Sequence, residues 1–236
     1  MLLYVIRHGE PIYDPDMLTE RGLAQAEAVG RYFATVGLDR VFSSPNVRAR
    51  QTAEPTCRAL GLEMSVEPWT SEDLAWKDFS LGFPDGSRRW VFAQAPDKFR
   101  AGGLENAGWD GWLQAPGVEK LQAPQKAYQR IIDASDDFLR RLGYAREGGA
   151  YRVERPNDER VALFCHGGFS TFWFAHLLGV PPHIFWSAFT LPHSCISRFF
   201  FANFPSGVTV PRCLAMAELP HVYKEGVEVR DADYGV

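Results

Sequence analysis

YVIRHGEP, residues 4–11, carries an apolar run straight into a cation, an imidazole and a glycine. A surface turn draws on Gly, Pro, Asn, Asp or Ser for backbone reasons and needs no such trio. Residues 2–6 are continuously apolar, the pattern of a strand covered on both faces in a parallel or mixed α/β sheet. The same design returns in RVALFCH, residues 160–166. In open α/β sheets ligands bind beyond the carboxyl ends of the strands. If these two strands are neighbours, His8 and His166 therefore meet in one crevice.

Working outward, LTERGLAQAEAVGRYFATVG (18–37) reads as a helix capped by Thr19, with Leu23, Ala24, Ala28 and Phe33 at helical spacing and Gly37 as its stop. DRVFSS (39–44) reads as a strand, and SPNVRARQTAEPTCRALG (44–61) as a helix with Ser44 as cap and Pro45 at its first position. LEMSVEP (62–68) is a third strand. Regularity then fades from about residue 70 to 121, in a stretch beginning beside Trp69 and holding Trp76, Trp90, Trp109 and Trp112. PQKAYQRIIDASDDFLRRLG (124–143) restores an amphipathic helix, GGAYRVERPNDERVALFCH (148–166) reads as a hairpin, and GGFSTFWFAHLLG (167–179) as a helix. CISRFFFANF (195–204) and VTVPRCLAMAEL (208–219) are the last strands. The alternation predicts a three-layer α/β/α sandwich with a mostly parallel central sheet. One domain over residues 1–236 is expected, with 70–121 as a Trp-rich, lid-like insertion.

Bulk composition narrows the function. The chain has 236 residues, 46% hydrophobic and 23% charged, with a formal net charge of −4, which argues against a broad nucleic-acid or anionic-membrane surface. Any anion chemistry must be local. Cys57, Cys165, Cys195 and Cys213 show neither CxxC nor His-rich spacing, so neither metal nor disulfide framework is expected, and a reducing, cytoplasmic compartment fits. MLLYVI lacks a basic leader and stops at Arg7, so neither a secretory signal nor a membrane span is expected.

Arg48, early in the second helix, adds a guanidinium where free backbone N–H groups and the helix dipole already favour an anion. Two histidines and two arginines so placed form an oxyanion trap, and the chemistry that needs it is phosphoryl transfer through a covalent histidine. Neutral imidazole attacks phosphorus with one nitrogen while the other donates a hydrogen bond that fixes the tautomer. Arg7 and Arg48 offer planar forks to the phosphoryl oxygens. His166 adds a donor, Gly9 leaves room for a close approach, and the backbone of Gly167 and Gly168 lies beside the phosphoryl group. Taken singly, His8 and His166 also read as ordinary buried histidines and Arg48 as a surface helix residue. Arg88, Arg89 and Lys77 are candidates to meet a second acidic group on the substrate, or simply solvated charges. His193 is the remaining histidine expected nearest the site.

RHGE (7–10), LTERG (18–22), SSPNVRARQTAE (43–54) and HGG (166–168), in this order, resemble the histidine phosphatase superfamily, of phosphoglycerate-mutase-like fold. The resemblance implies His8 as the phosphorylated nucleophile, with Arg7, Arg48 and His166 around the phosphate. It implies a carboxylic acid shortly after the third strand that protonates the leaving oxygen. EPWTSEDLAWKDF (67–79) offers Glu72, Asp73 and Asp78, of which Glu72 has the best spacing. Burial beside Trp69 or Trp76 would have to raise its pKa, giving a bell-shaped rate profile on the acidic side of neutral. Many relatives carry Asn where this chain has Asp14, and a carboxylate there would repel phosphate, so Asp14 is not placed in the pocket.

The expected activity is metal- and cofactor-independent hydrolysis of a small-molecule phosphate monoester, with no nucleic-acid or membrane partner and with a homodimer left open. The alternatives are a phosphoglycerate-type phosphomutase and a non-catalytic phospho-ligand scaffold. No LNERHYG-like segment, as in the mutases, surrounds the acid. An aromatic-walled insertion favours a bulky or apolar leaving group.

Overall fold

The computed structural model describes residues 1–83 and 85–230. Its centre is a six-stranded sheet built from β1 (Leu2–Arg7), β2 (Arg40–Ser43), β3 (Met64–Val66), β4 (Arg160–Cys165), β5 (Ile196–Phe200) and β6 (Arg212–Glu218), in the order β6-β5-β1-β4-β2-β3. β1, β4, β2 and β3 run parallel, while β5 and β6 are antiparallel to their neighbours. The mostly parallel sheet read from the alternation is therefore present.

Side chains alternate across a strand, so an unbroken apolar run feeds two cores. Tyr4, Ile6, Val41, Ala162 and Phe164 face one side, packed with Val29, Phe33 and Ala53 of α1 (Glu20–Val36) and α2 (Val47–Leu60). Leu3, Val5, Phe42, Val161 and Leu163 face the other. There they join α3 (Glu72–Phe79), α4 (Pro124–Arg141), α5 (Gly167–Leu178) and α6 (Pro182–Ala188). These are the three layers. Each fully buried Val, Leu, Ile or Phe contributes about 1.5–3 kcal/mol, so both faces of β1 and β4 anchor the site that follows them.

Thr19 caps α1 as expected, its side chain accepting from the Gly22 N–H at 3.0 Å, and Gly37 ends it. The cap of α2 differs: Asn46, not Ser44, is the N-cap, and the helix starts at Val47. Ser44 instead turns its hydroxyl inward. The expected 148–166 hairpin is also replaced. Ala150–Val153 pairs with Tyr144–Glu147 and Val208–Thr209 in a small separate sheet, leaving β4 to enter the central sheet alone. Gly148 (φ 58°) and Gly149 supply the tight turn between Tyr144–Glu147 and Ala150–Val153. Likewise VTVPRCLAMAEL splits, with Val208–Thr209 in the small sheet and Arg212 onward in β6.

The stretch after residue 70 contains α3, a two-stranded ribbon (Ser80–Gly82 with Arg88–Trp90) and short 3₁₀ turns. The tryptophans in and beside it divide. Trp69 packs edge-on to Trp173 and Phe169, and Trp109 and Trp112 lie against Tyr128, all in the larger core. Trp76 and Trp90 meet each other at 4.8 Å and face a cleft. Among the described residues no helix is long and apolar enough to cross a membrane.

Candidate active site

β1 and β4 are hydrogen-bonded neighbours with Arg7 opposite Cys165, so the residues that follow them emerge side by side. The His8 N–H donates to the Cys165 carbonyl at 2.9 Å, and the two imidazole centroids are 5.1 Å apart. His8 is buried, with Nδ1 at 2.7 Å from its neighbour Gly9's carbonyl oxygen. A carbonyl only accepts, so Nδ1 carries the proton and Nε2 keeps its lone pair. Burial first, then His166, Arg7, Arg48 and His193, push the His8 pKa well below the ordinary histidine value. The ring is neutral, which is the form a nucleophile needs.

His166 is fully buried, and its tautomer follows from a chain of hydrogen bonds. The Glu72 backbone N–H donates to Asn46 Oδ1 at 3.2 Å, which fixes the amide's orientation and directs Asn46 Nδ2 to Asp73 at 3.1 Å. Ser44 Oγ then donates to Asn46 Oδ1 at 3.1 Å. Its hydrogen is used, so it accepts from His166 Nε2 at 2.7 Å. The His166 Nδ1 is left as a buried lone pair without partner. Burial, then Arg48 and Arg7, lower this pKa too. His166 becomes a donor at Nδ1 only by taking a proton, which an arriving anion favours.

Arg7 Nη1 donates to the Leu191 carbonyl and Nη2 meets His193 Nε2 at 2.8 Å. His193, expected nearest the site, also lies 5.6 Å from the His8 ring. Arg48 is buried and pairs through Nη1 with Asp16 at 2.7 Å. The Nε atoms of both arginines are buried and unpartnered. Buried donors are normally satisfied, so two orphaned guanidinium N–H groups and one orphaned imidazole nitrogen next to His8 mark a place built for an anion.

Glu72 is half-buried at the start of α3, and its Oε1 and Oε2 accept the Gly168 and Phe169 backbone N–H groups at 3.1 and 3.0 Å. Those are orphan donors of the α5 N-terminus, which favour the carboxylate. Burial opposes them and is the larger effect, so the Glu72 pKa is raised. Of the other candidates, Asp73 accepts from Asn46 and Asp78 pairs with Arg130 at 2.6 Å. The structure thus brings Arg7, His8, Arg48, Glu72 and His166 into one site.

The expectations for Gly9 and Gly168 change. A Cβ on Gly9 would lie 2.6 Å from the Gly22 carbonyl, so Gly9 serves the packing of this loop on α1 instead of approach to a phosphoryl group. Gly167 sits against Arg7, where a Cβ would come within 2.9 Å of Nε. The Gly168 N–H is taken by Glu72, and its missing Cβ admits the Trp90 ring, 2.3 Å from where that carbon would be. Asp14 is exposed, and it is Asp16, not weighed in the sequence, that reaches Arg48. Asp16 also caps α2 by accepting the Val47 N–H at 2.8 Å. Ser44 was visible only as a capping residue, and Asn46 was not singled out. No residue-type signal links them to His166, because the link is tertiary.

Beside this pocket a cavity of about 700 Å³ is lined by residues including Tyr13, Arg48, Glu72, Trp76, Arg88 and Trp90. Among the described residues no group of three His, Cys, Asp or Glu converges as a metal site.

A family model, histidine phosphatase superfamily (branch 1), matches residues 3–204. Fructose-2,6-bisphosphatase TIGAR of Xenopus tropicalis is 41% identical over 61 residues, a match that spans 22% of this chain and only 22% of that relative. Entamoeba histolytica phosphoserine phosphatase, in complex with 3-phosphoglyceric acid, superposes with a TM-score of 0.60 at 17% identity, covering 94% of this chain and 98% of that one. A mycobacterial glucosyl-3-phosphoglycerate phosphatase gives 0.59 at 19% identity over 92% and 98%. At these identities the structural likeness establishes the fold.

Proposed function

This chain belongs to the histidine phosphatase superfamily, and on that premise we propose that it is a phosphomonoesterase working through a phosphohistidine on His8. The observation that carries the reading is the neutral His8, its Nδ1–H held by the Gly9 carbonyl, beside the orphaned Nε atoms of Arg7 and Arg48. His8 Nε2 attacks phosphorus in line as the bond to the leaving oxygen breaks, and Glu72 transfers its proton to that oxygen. Arg7, Arg48 and a protonated His166 balance the charge on the non-bridging oxygens. Gly167 keeps its side of the pocket open for the Arg7 guanidinium. In the second half the Glu72 carboxylate takes a proton from water, the water oxygen bonds to phosphorus, and the P–N bond breaks. Phosphate leaves, with His8 neutral again.

The same reading treats residues 1–236 as one domain whose 70–121 segment covers the cleft, supported by Trp76 and Trp90 on its wall. It takes a small-molecule phosphate ester as substrate, without metal or cofactor, in the cytoplasm, where four free cysteines suit the redox state. The relatives' names span a sugar bisphosphatase, a phosphoserine phosphatase and a glucosyl-3-phosphoglycerate phosphatase, all phosphatases. The test is phosphate release from an aryl phosphate with chelator present, comparing the native protein with His8→Ala. Chelator-resistant turnover lost in the variant, with acid-labile phosphate trapped on native protein alone, is the expected outcome. Equal turnover in both proteins would refute the role of His8.

A further inference from the structure

The phosphoryl pocket ends at Glu72, but the cavity continues. Its volume of about 700 Å³ is that of a site for a drug-sized molecule, well beyond what a phosphoryl group fills. Beyond the acid its wall is aromatic. Trp76 and Trp90 make an edge-to-face pair at 82°, Trp90 lies nearly parallel to Phe92 at 5.3 Å, and Tyr13, 66% exposed, stands beside Arg48. Gly168 fixes the Trp90 ring directly next to the Glu72 carboxyl. A leaving group protonated by Glu72 therefore departs along an indole face.

The wall also carries a cation of a particular kind. Arg88 and Trp90 lie two apart on one ribbon strand and share a face, and Arg89 between them also borders the cleft, so it is the pairing of the two arginines that tells them apart. Arg89 is neutralised by Asp85 at 2.7 Å and rests on Phe83. Arg88 is held by a neutral partner: Nε and Nη2 donate to Ser80 Oγ at 3.1 and 2.8 Å, and Nη2 also to the Ser80 carbonyl at 3.0 Å. Its geometry is set while its charge is left without a carboxylate among the described residues. It borders both the reaction cleft and an adjoining hollow of about 450 Å³ that also holds Lys77, Lys120 and Asp78, the last paired with Arg130. The acids on the cleft are engaged elsewhere, Asp16 by Arg48, Asp73 by Asn46 and Glu72 by the Gly168 and Phe169 N–H groups.

We propose that the cleft is a leaving-group site for aromatic phosphomonoesters carrying a second anionic group, with the ring against Trp76 and Trp90 and the anion at Arg88. This rests on the phosphatase reading above for the position of the phosphoryl group. The second anion is a carboxylate or phosphate on the far side of the ring, and Arg88 is a specificity-determining residue that takes no part in bond cleavage.

The experiment measures binding by calorimetry to the His8→Ala protein at low salt, using propyl phosphate, phenyl phosphate, and 3- and 4-carboxyphenyl phosphate. Phenyl phosphate binds tighter than propyl phosphate, and one carboxyl isomer gains about five- to tenfold over phenyl phosphate. Adding Arg88→Met abolishes that gain, while Arg89→Met keeps it. Both substitutions fall on exposed side chains, so folding is not at stake. The proposal is overturned if neither carboxyl isomer binds better, if the gain survives Arg88→Met, or if propyl phosphate binds as well as phenyl phosphate. Native turnover separates the two readings. Hydrolysis without a carboxyl gain sinks this proposal alone, and a carboxyl gain without hydrolysis sinks the reaction alone.

Discussion

At the ends of β1 and β4, His8 and His166 are fixed by backbone ladders, a carbonyl and a serine, all inside the core; on the cleft wall, Arg88 and Trp90 ride a three-residue ribbon strand. The first region leaves its arginine Nε atoms buried without partners, a state a protein sustains only where surrounding packing holds it. The second leaves its groups half-wet and holds them by local contacts. Bond-breaking groups need sub-ångström placement, whereas leaving-group contacts tolerate movement. On the proposed reading, that difference separates what is general in the site from what selects a substrate.

The sharpest break of that comparison is His8→Ala, which should cost about four orders of magnitude or more in turnover if the strand-end pocket does the chemistry. Its melting temperature should stay close to native, since among the described residues the imidazole makes one hydrogen bond, to the adjacent Gly9 carbonyl. A variant that keeps activity would place the chemistry elsewhere.

Next comes Glu72→Gln, expected to lower kcat on an alkyl phosphate by about 10²–10³ but on a nitrophenyl ester by less than about tenfold, because a good leaving group needs no proton. The pH profile gives a second readout. The His8 pKa is lowered, so its neutral form survives into acid and the rate falls only below that value. The Glu72 pKa is raised, so its acid form persists above the usual carboxylate range and the rate falls as pH rises through it. The plateau lies between, and the variant should lose the alkaline limb while keeping the acid one.

Gly168→Ala strikes where the two regions touch. Its Cβ would meet Trp90 at 2.3 Å and Glu72 Oε1 at 2.7 Å, so the indole and acid must both shift. We expect kcat/KM to fall by about ten- to a hundredfold, with a smaller fall when the substrate needs no acid. Equal losses on both substrates would mean that the wall alone moved.

The smallest effect is Asp16→Asn. It removes a carboxylate that competes for Arg48, so product phosphate should inhibit about two- to fivefold more tightly. Weaker inhibition would show that Asp16 serves mainly to hold Arg48 in place.

Much of the molecule was legible along the chain. The apolar runs before His8 and His166, the Thr19 cap and the glycine stops depend on local chemistry, and local chemistry is written in order. The 148–166 hairpin was misread because an apolar strand does not state its partner. Between β1 and β2, β4 has both edges hydrogen-bonded and each face packed into one of the two cores. Ser44 was misjudged for a related reason: short polar side chains before a helix cap it in most contexts, and here its hydroxyl accepts from His166 instead.

The sequence by itself determined the strand and helix alternation, the two histidines at strand ends, and the arginines and acid near them. Periodicity and end chemistry are properties of adjacent residues. Only the tertiary structure decided that the histidines are neighbours, which nitrogen of each carries the proton, that Asp16 and not Asp14 reaches Arg48, and which of two adjacent arginines is paired with a carboxylate. Those outcomes depend on which distant groups share a low-dielectric space, where one donor or acceptor from another element sets a tautomer, a charge and a direction.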